Sequence, residues 1–234
     1  RSRRGDDVTK ALGEAAARDK FWGARLEAVK SLSEMRSEPA RAPLIEAARD
    51  AEPRVRREAV KGLAEFKDAK LADLFIETAS SDQSYFTVYE ALRGLGRSGA
   101  PRAFDVLMRW AKQESWQGII RQGALEGLMA LKDKRSLDTG LEYSAPGNFE
   151  GVRVAAFQLI GETGKGDNRA LEVLVAALRE PSNTIRIGAA GALGQLGDSR
   201  AIPALEDVAK AEDLSPGASQ LIAFVINRIK AASK

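Results

Sequence analysis

The side chains best placed to do chemistry are five arginines at near-constant spacing: Arg25, Arg56, Arg121, Arg153 and Arg186. A guanidinium is a rigid fork of donors that grips a carboxylate or phosphate through two parallel bonds. Each arginine is followed three residues on by Ala (28, 59, 124, 156, 189) and seven residues on by an aliphatic residue (Leu32, Leu63, Leu128, Ile160, Leu193). This fixed offset from packing residues gives the arginines a structural task, bonding turn carbonyls or carboxylates of an adjacent unit as a ladder along a stack. Degenerate copies at Val88 and Gln220 place the slots at 25, 56, 88, 121, 153, 186 and 220.

Other reactive groupings are sparse. Glu27 with Lys30, Glu58 with Lys61 and Glu90 with Arg93 recur in one slot, three residues apart, as solvent-facing charge pairs on a helix do. The chain has no His and no Cys, so neither a hydrolytic zinc site nor a His-dependent triad can be built from it, and no catalytic, cofactor or metal residue is assigned. The formal net charge is +3, which Arg1, Arg3 and Arg4 supply alone. A neutral body lacks the cationic stripe that drives nucleic-acid affinity, so nucleic acid is not the expected partner. The absence of cysteine leaves both a cytoplasmic and a periplasmic or secreted location open, and no apolar run is long enough to span a membrane.

The slots recur because the elements that carry them recur. A period of 31 to 34 residues containing two apolar stripes of helical spacing is the signature of stacked helix pairs. The first (A) helices are expected near 7–17, 39–49, 69–79, 100–112, 135–143, 168–179 and 199–210. The second (B) helices are expected near 21–35, 53–65, 83–96, 116–131, 149–162, 183–195 and 216–232. Asp68, Asp133, Asp167 and Asp198 stand where a carboxylate can accept the unpaired amides of a first helical turn. Glycines at 94, 96, 161, 164 and 197 are expected to turn the chain with φ above zero. Aromatics at or just before B-helix starts, Trp22, Tyr85, Trp110 and Trp116, are expected to pack over adjacent turns. The fold class is therefore all-α: a right-handed α-α superhelix of about seven helix pairs in one domain, with units near 7–36, 37–66, 67–97, 98–131, 132–163, 164–196 and 197–232. The opening Arg-Ser-Arg-Arg, without Met or a signal core, reads as the cut end of a longer protein.

A docking surface is expected in two places. Two residues after each slot stand Glu27, Glu58 and Glu90, then Gly123, Ala155, Gly188 and Ile222. If that position faces the concave side, the inner surface turns from charged to small and smooth toward the C-terminus; tighter packing within the stack is the alternative. The last helix carries Leu221, Ile222, Phe224, Val225, Ile226 and Ile229, apolar around much of its circumference, and a terminal repeat has no following neighbour to cover it.

The phrase Val-Arg-x-x-Ala-x-x-x-Leu on the second helix of each pair resembles the HEAT repeat, and Gly197-Asp-Ser-Arg-Ala-Ile-Pro-Ala-Leu205 resembles its short bacterial form. A narrower resemblance lies in Phe21-Trp-Gly-Ala-Arg25, Pro53-Arg-Val-Arg-Arg57, Asp82-Gln-Ser-Tyr85 with Glu90-Ala-Leu92, and Ser115-Trp116 with Ile120-Arg121. Together these look like the C-terminal helical region of bacterial zinc aminopeptidases of the membrane-alanyl (gluzincin) type. That resemblance implies a non-catalytic accessory domain whose partner is the upstream catalytic domain, where the family's H-E-x-x-H segment holds the zinc. The alternatives are a stand-alone protein-binding adaptor and a bilin-lyase-like HEAT protein. The iron-dependent hydroxylases that share the repeat need His-Glu motifs missing here.

Overall fold

The computed structural model describes residues 3–211 and 214–232, with side chains from residue 7 onward; Arg1 and the side chains of Arg3 and Arg4 fall outside that description. Among the described residues there are fourteen α-helices and no β-strand. The A helices are α1 (Arg3–Arg18), α3 (Glu38–Ala47), α5 (Ala72–Ser81), α7 (Ala103–Trp110), α9 (Leu137–Tyr143), α11 (Asn168–Ala177) and α13 (Ile202–Ala209). The B helices are α2 (Trp22–Met35), α4 (Pro53–Ala64), α6 (Tyr85–Ser98), α8 (Ile119–Leu131), α10 (Glu150–Thr163), α12 (Asn183–Leu196) and α14 (Pro216–Ala232).

The chain divides into two compact units, Arg1–Leu131 and Lys132–Lys234. In the first, α2, α4, α6 and α8 pack side by side in chain order, and each B helix packs on the A helix of its own pair. In the second, α10, α12 and α14 do the same, backed by α9, α11 and α13. The repeated Ala and aliphatic positions make the interior: Ala59, Leu63, Ala124, Leu128, Ala156, Ile160, Ala189 and Leu193 have no solvent exposure.

Local chemistry sets the boundaries. Asp68, Asp133, Asp167 and Asp198 accept the backbone N–H two residues on, at 2.8–3.0 Å, and so start the A helices or the single 3-10 turns that lead into them. Of the glycines expected to reverse the chain, only Gly197 has positive φ (75°); Gly99 (65°) and Gly166 (87°) are the other reversals nearby. Gly96 instead lies within α6, where the α8 backbone comes too close to admit a side chain.

The last pair departs from the expected register by one residue. Ala223 and Asn227, counted from a slot at Gln220, are exposed, while Ile222 and Ile226 are buried. The slot of α14 is therefore Ser219, which puts Ile222 and Ile226 at the packed positions three and seven residues on.

Candidate functional site

The five arginines lie at the A–B turns, and their bonds are now explicit. Arg25 grips Asp50 with two bonds of 2.7 and 2.9 Å and donates to the carbonyl of Asp19. Arg56 repeats this with Asp82 (2.6 and 2.9 Å) and the carbonyls of Asp50 and Ala51. Arg153 donates to the Ser144 carbonyl and to both oxygens of Glu180. Arg121 donates to the Ala111 carbonyl, and Arg186 donates to Asn183. For Arg25, Arg56 and Arg153 the carbonyl belongs to the turn of the same pair and the carboxylate to the turn of the next. Burial opposes ionisation of Asp50 and Asp82, but the guanidinium bonds and a backbone amide outweigh it and hold both below the ordinary carboxylate range. The bond from Arg153 likewise lowers Glu180.

The B helices keep one stripe toward solvent, formed by residues one, five and nine positions after each slot. In the first unit this stripe is charged. Arg57 of α4 reaches Glu90 of α6 at 3.6 Å and lies over the Phe86 ring at 5.1 Å. Arg93 binds Glu90 at 2.9 Å and Glu126 of α8 at 2.8 Å. Glu126 also accepts the Tyr89 hydroxyl at 2.8 Å and the Gln122 amide at 3.1 Å. Burial of Tyr89, reinforced by the Glu126 charge, raises its phenol pKa, so the hydroxyl stays a donor. Beside this network a groove of about 340 Å³ is lined by Lys67, Arg93, Arg97, Glu126, Met129 and Ala130.

Glu90 corrects the expectation of a solvent-facing pair. Side-chain exposure along the recurring Glu slot falls from 69% at Glu27 to 20% at Glu58 and 4% at Glu90. The position two residues after the slot thus turns into the seam between neighbouring B helices. Its later members follow: Gly123 and Ala155 are buried, and Gly188 lies against the Val154 side chain. They serve packing, not an open surface, and Ile222 and Val225 are buried too.

The open stripe in the second unit lies beside that seam. Positions one and five after each slot are Val154 and Gln158 on α10, Ile187 and Gly191 on α12, and Gln220 and Phe224 on α14, none of them charged; charge is confined to position nine, at Glu162 and Arg228. Phe224 is 67% exposed, with Leu221 exposed beside it. A side chain at Gly191 would meet no atom within 4 Å. Of the residues expected to form a docking surface, Phe224 and Leu221 of the last helix are exposed, whereas Gly123, Ala155, Ile222, Val225, Ile226 and Ile229 are buried; Ile187 and Gly191 were not among those expected. The aromatic edge also differs from expectation. Tyr85, Phe86 and Trp116 stay exposed at their helix starts, and Trp22 lies under Arg54 at 4.7 Å.

Comparison with known proteins agrees with this architecture. The family model for HEAT repeats matches residues 9–88 and 141–221. Among solved structures, a chain from the complex of CpcE and CpcF of phycocyanin lyase from Nostoc sp. PCC7120 is similar at TM-score 0.65 and 16% identity, over 94% of each chain. Kap121p bound to Pho4p is similar at TM-score 0.63 and 11% identity, over 98% of this chain and 31% of that one. The archaeal HEAT-like repeats protein from Thermococcus onnurineus NA1 gives 0.52 and 15%, over 97% and 98%. At these identities the likeness is one of fold. A search of curated protein sequences returns no match, and nothing in these comparisons supports the aminopeptidase resemblance. The family match over most of the chain, with seven helix pairs and the arginine-to-carboxylate bonds between their turns, shows that this chain belongs to the HEAT-repeat family.

Proposed function

We propose that the chain is a non-catalytic scaffold that binds protein through the open stripes of its B helices. The observation that carries this reading is the uncharged first two positions of the second unit's stripe, where Phe224 and, beside it, Leu221 face solvent and the position at Gly191 is unfilled. A large apolar side chain in water with a smooth neighbour is what a protein interface needs at its centre. The neighbours named above support it, one being part of a complex of CpcE and CpcF and the other Kap121p bound to Pho4p.

The test is capture of partners on the immobilised chain, comparing wild type with Phe224→Glu and identifying bound proteins by mass spectrometry. A defined partner held by the wild type and released by Phe224→Glu supports the reading; identical capture by both overturns it. In the accessory-domain form of this proposal, carried by the aminopeptidase resemblance of residues 21–25, 53–57, 82–92 and 115–121, the partner is a catalytic domain of the same polypeptide. An H-E-x-x-H segment upstream in the same reading frame tests that form. A bilin-dependent absorption band on mixing with free bilin would instead favour lyase-like chemistry.

A further inference from the structure

The first unit carries a second surface of different chemistry, and its layering is the informative feature. On α4 with its cap residue Glu65, and on α6 and α8, the carboxylates lie low: side-chain exposure is 20% at Glu58, 23% at Glu65, 4% at Glu90 and 14% at Glu126, whereas Glu27 and Glu34 of α2 are exposed and lie outside this layer. The cations paired with them stand above, with Arg36 70% and Arg57 46% exposed. Glu65 is shared by Arg36 at 3.4 Å and Arg97 at 2.8 Å, as Glu90 is by Arg57 and Arg93. Although the charges nearly cancel by count, from Arg36 at the end of α2 across α4, α6 and α8 the layer a partner would touch is positive.

Backbone geometry points the same way. Eleven residues after each of the first four slots stand Arg36, Lys67, Gly99 and Lys132, all with φ between 44° and 65°. Glycine adopts this left-handed conformation without strain, as at Gly99, and a side chain there is disfavoured. Arg36 and Lys67 nevertheless place cations at the ends of α2 and α4 on the same side as the groove lined by Lys67, Arg93 and Arg97. Lys67 makes no ion pair among the described residues. The groove is bounded on its other side by Met129 and Ala130, and Phe86 lies exposed under Arg57.

We infer that this face of the first unit docks an acidic protein segment, one whose carboxylates are separated by apolar side chains. This rests on the protein-binding reading above and adds a second surface with its own ligand class. Separate carboxylates fit cations interleaved with Met129, Ala130 and Phe86. A nucleic-acid backbone, with its dense and regular charge, presents no apolar groups between its phosphates to set against Met129 and Ala130.

The test uses the intact chain and three fluorescein-labelled probes in anisotropy titrations: a short peptide of alternating Glu-Glu and Leu-Leu, the same peptide with Gln for Glu, and an oligothymidylate of equal charge. The Glu-Leu peptide is expected to bind more tightly than both others, and less tightly as salt is raised past about 0.15 M. The double variant Arg36→Glu with Lys67→Glu should weaken it about tenfold or more, with the helical circular-dichroism signal unchanged. If that variant loses its helical signal, Arg36→Gln with Lys67→Gln and the wild-type salt series read the same charge dependence. Equal binding of the Gln peptide, tighter binding of the oligothymidylate, or no binding of the Glu-Leu peptide would overturn the inference. Each of those results leaves the Phe224→Glu capture experiment free to succeed, so failure here is distinguishable from failure of the scaffold reading.

Discussion

Gly96 of α6 lies directly against the backbone of Gly127 of α8, so that a methyl group on Gly96 would overlap the Gly127 carbonyl oxygen. Neither backbone can retreat without separating the two helices. Gly96→Ala should therefore cost about 2 kcal/mol or more, although Ala is the better helix former by about 1 kcal/mol. Urea unfolding monitored by circular dichroism reads the difference, and an unchanged midpoint would mean that α6 and α8 do not approach this closely.

Thr87 offers the opposite sign. It sits one residue before the slot of α6, a position held by Val55, Ile120, Val152 and Ile185 in other pairs, and it is fully buried. Its hydroxyl has no hydrogen-bond partner among the described residues. A buried donor left unmade costs about 1–3 kcal/mol. Thr87→Val removes the hydroxyl at nearly constant shape and should raise stability by about 1 kcal/mol; a lower melting temperature would reveal a partner for the hydroxyl.

Arg56 and Asp82 form the most buried rung of the arginine series, with side chains 17% and 5% exposed. Arg56→Ala leaves the Asp82 carboxylate in that setting without its counter-charge, and should destabilise the protein by about 3 kcal/mol. The double variant Arg56→Ala with Asp82→Ala should recover part of the loss, because the stranded charge is gone. Additive losses in the cycle would show that the two residues do not act together.

The same rungs set an acid limit. Asp50, Asp82 and Glu180 have folded pKa values below their ordinary ones. Their contribution is therefore complete above the unfolded values of about 3.9 for Asp and 4.3 for Glu, and is lost as pH falls through the folded values. Melting temperature should be level with respect to these groups near neutrality and drop below about pH 4. Asp82→Asn should be less stable than wild type at neutral pH and lose less on acidification; parallel pH profiles would contradict the assignment.

Seven helix pairs were legible in the sequence because each carries its own punctuation: a slot, a packed Ala three residues on and an aliphatic residue seven on. That grammar is local, and α14 shows its limit. With Ser219 in the slot and Ile222 and Ile226 replacing the usual Ala and Leu, Gln220, Ala223 and Asn227 offered a plausible frame one residue late. The open stripe was harder to read for a related reason. Positions one and two after a slot differ by about 100° around the helix, from 3.6 residues per turn. Which of them becomes the seam depends on how closely the next B helix approaches. At Glu90 that approach is set by Gly123 and Gly127, residues of another repeat, so the burial of Glu90 could not be read from its own pair with Arg93.

Gly191 separates packing from function most cleanly. It lies in the middle of α12 on the open stripe, where a Cβ would touch nothing. No neighbour within the chain requires glycine there, and glycine weakens a helix interior by about 1 kcal/mol relative to Ala. Gly191→Ala should accordingly stabilise the second unit by about that amount. If the position stays bare so that a partner's backbone can approach, Gly191→Leu should leave folding intact yet reduce capture of the partner that Phe224→Glu also releases. The two measurements together decide the matter, since a side chain acting only through the fold would move stability and capture in the same direction. Stabilisation by Gly191→Ala with undiminished capture by Gly191→Leu would remove Gly191 from the docking surface and leave Phe224 and Leu221 to carry it.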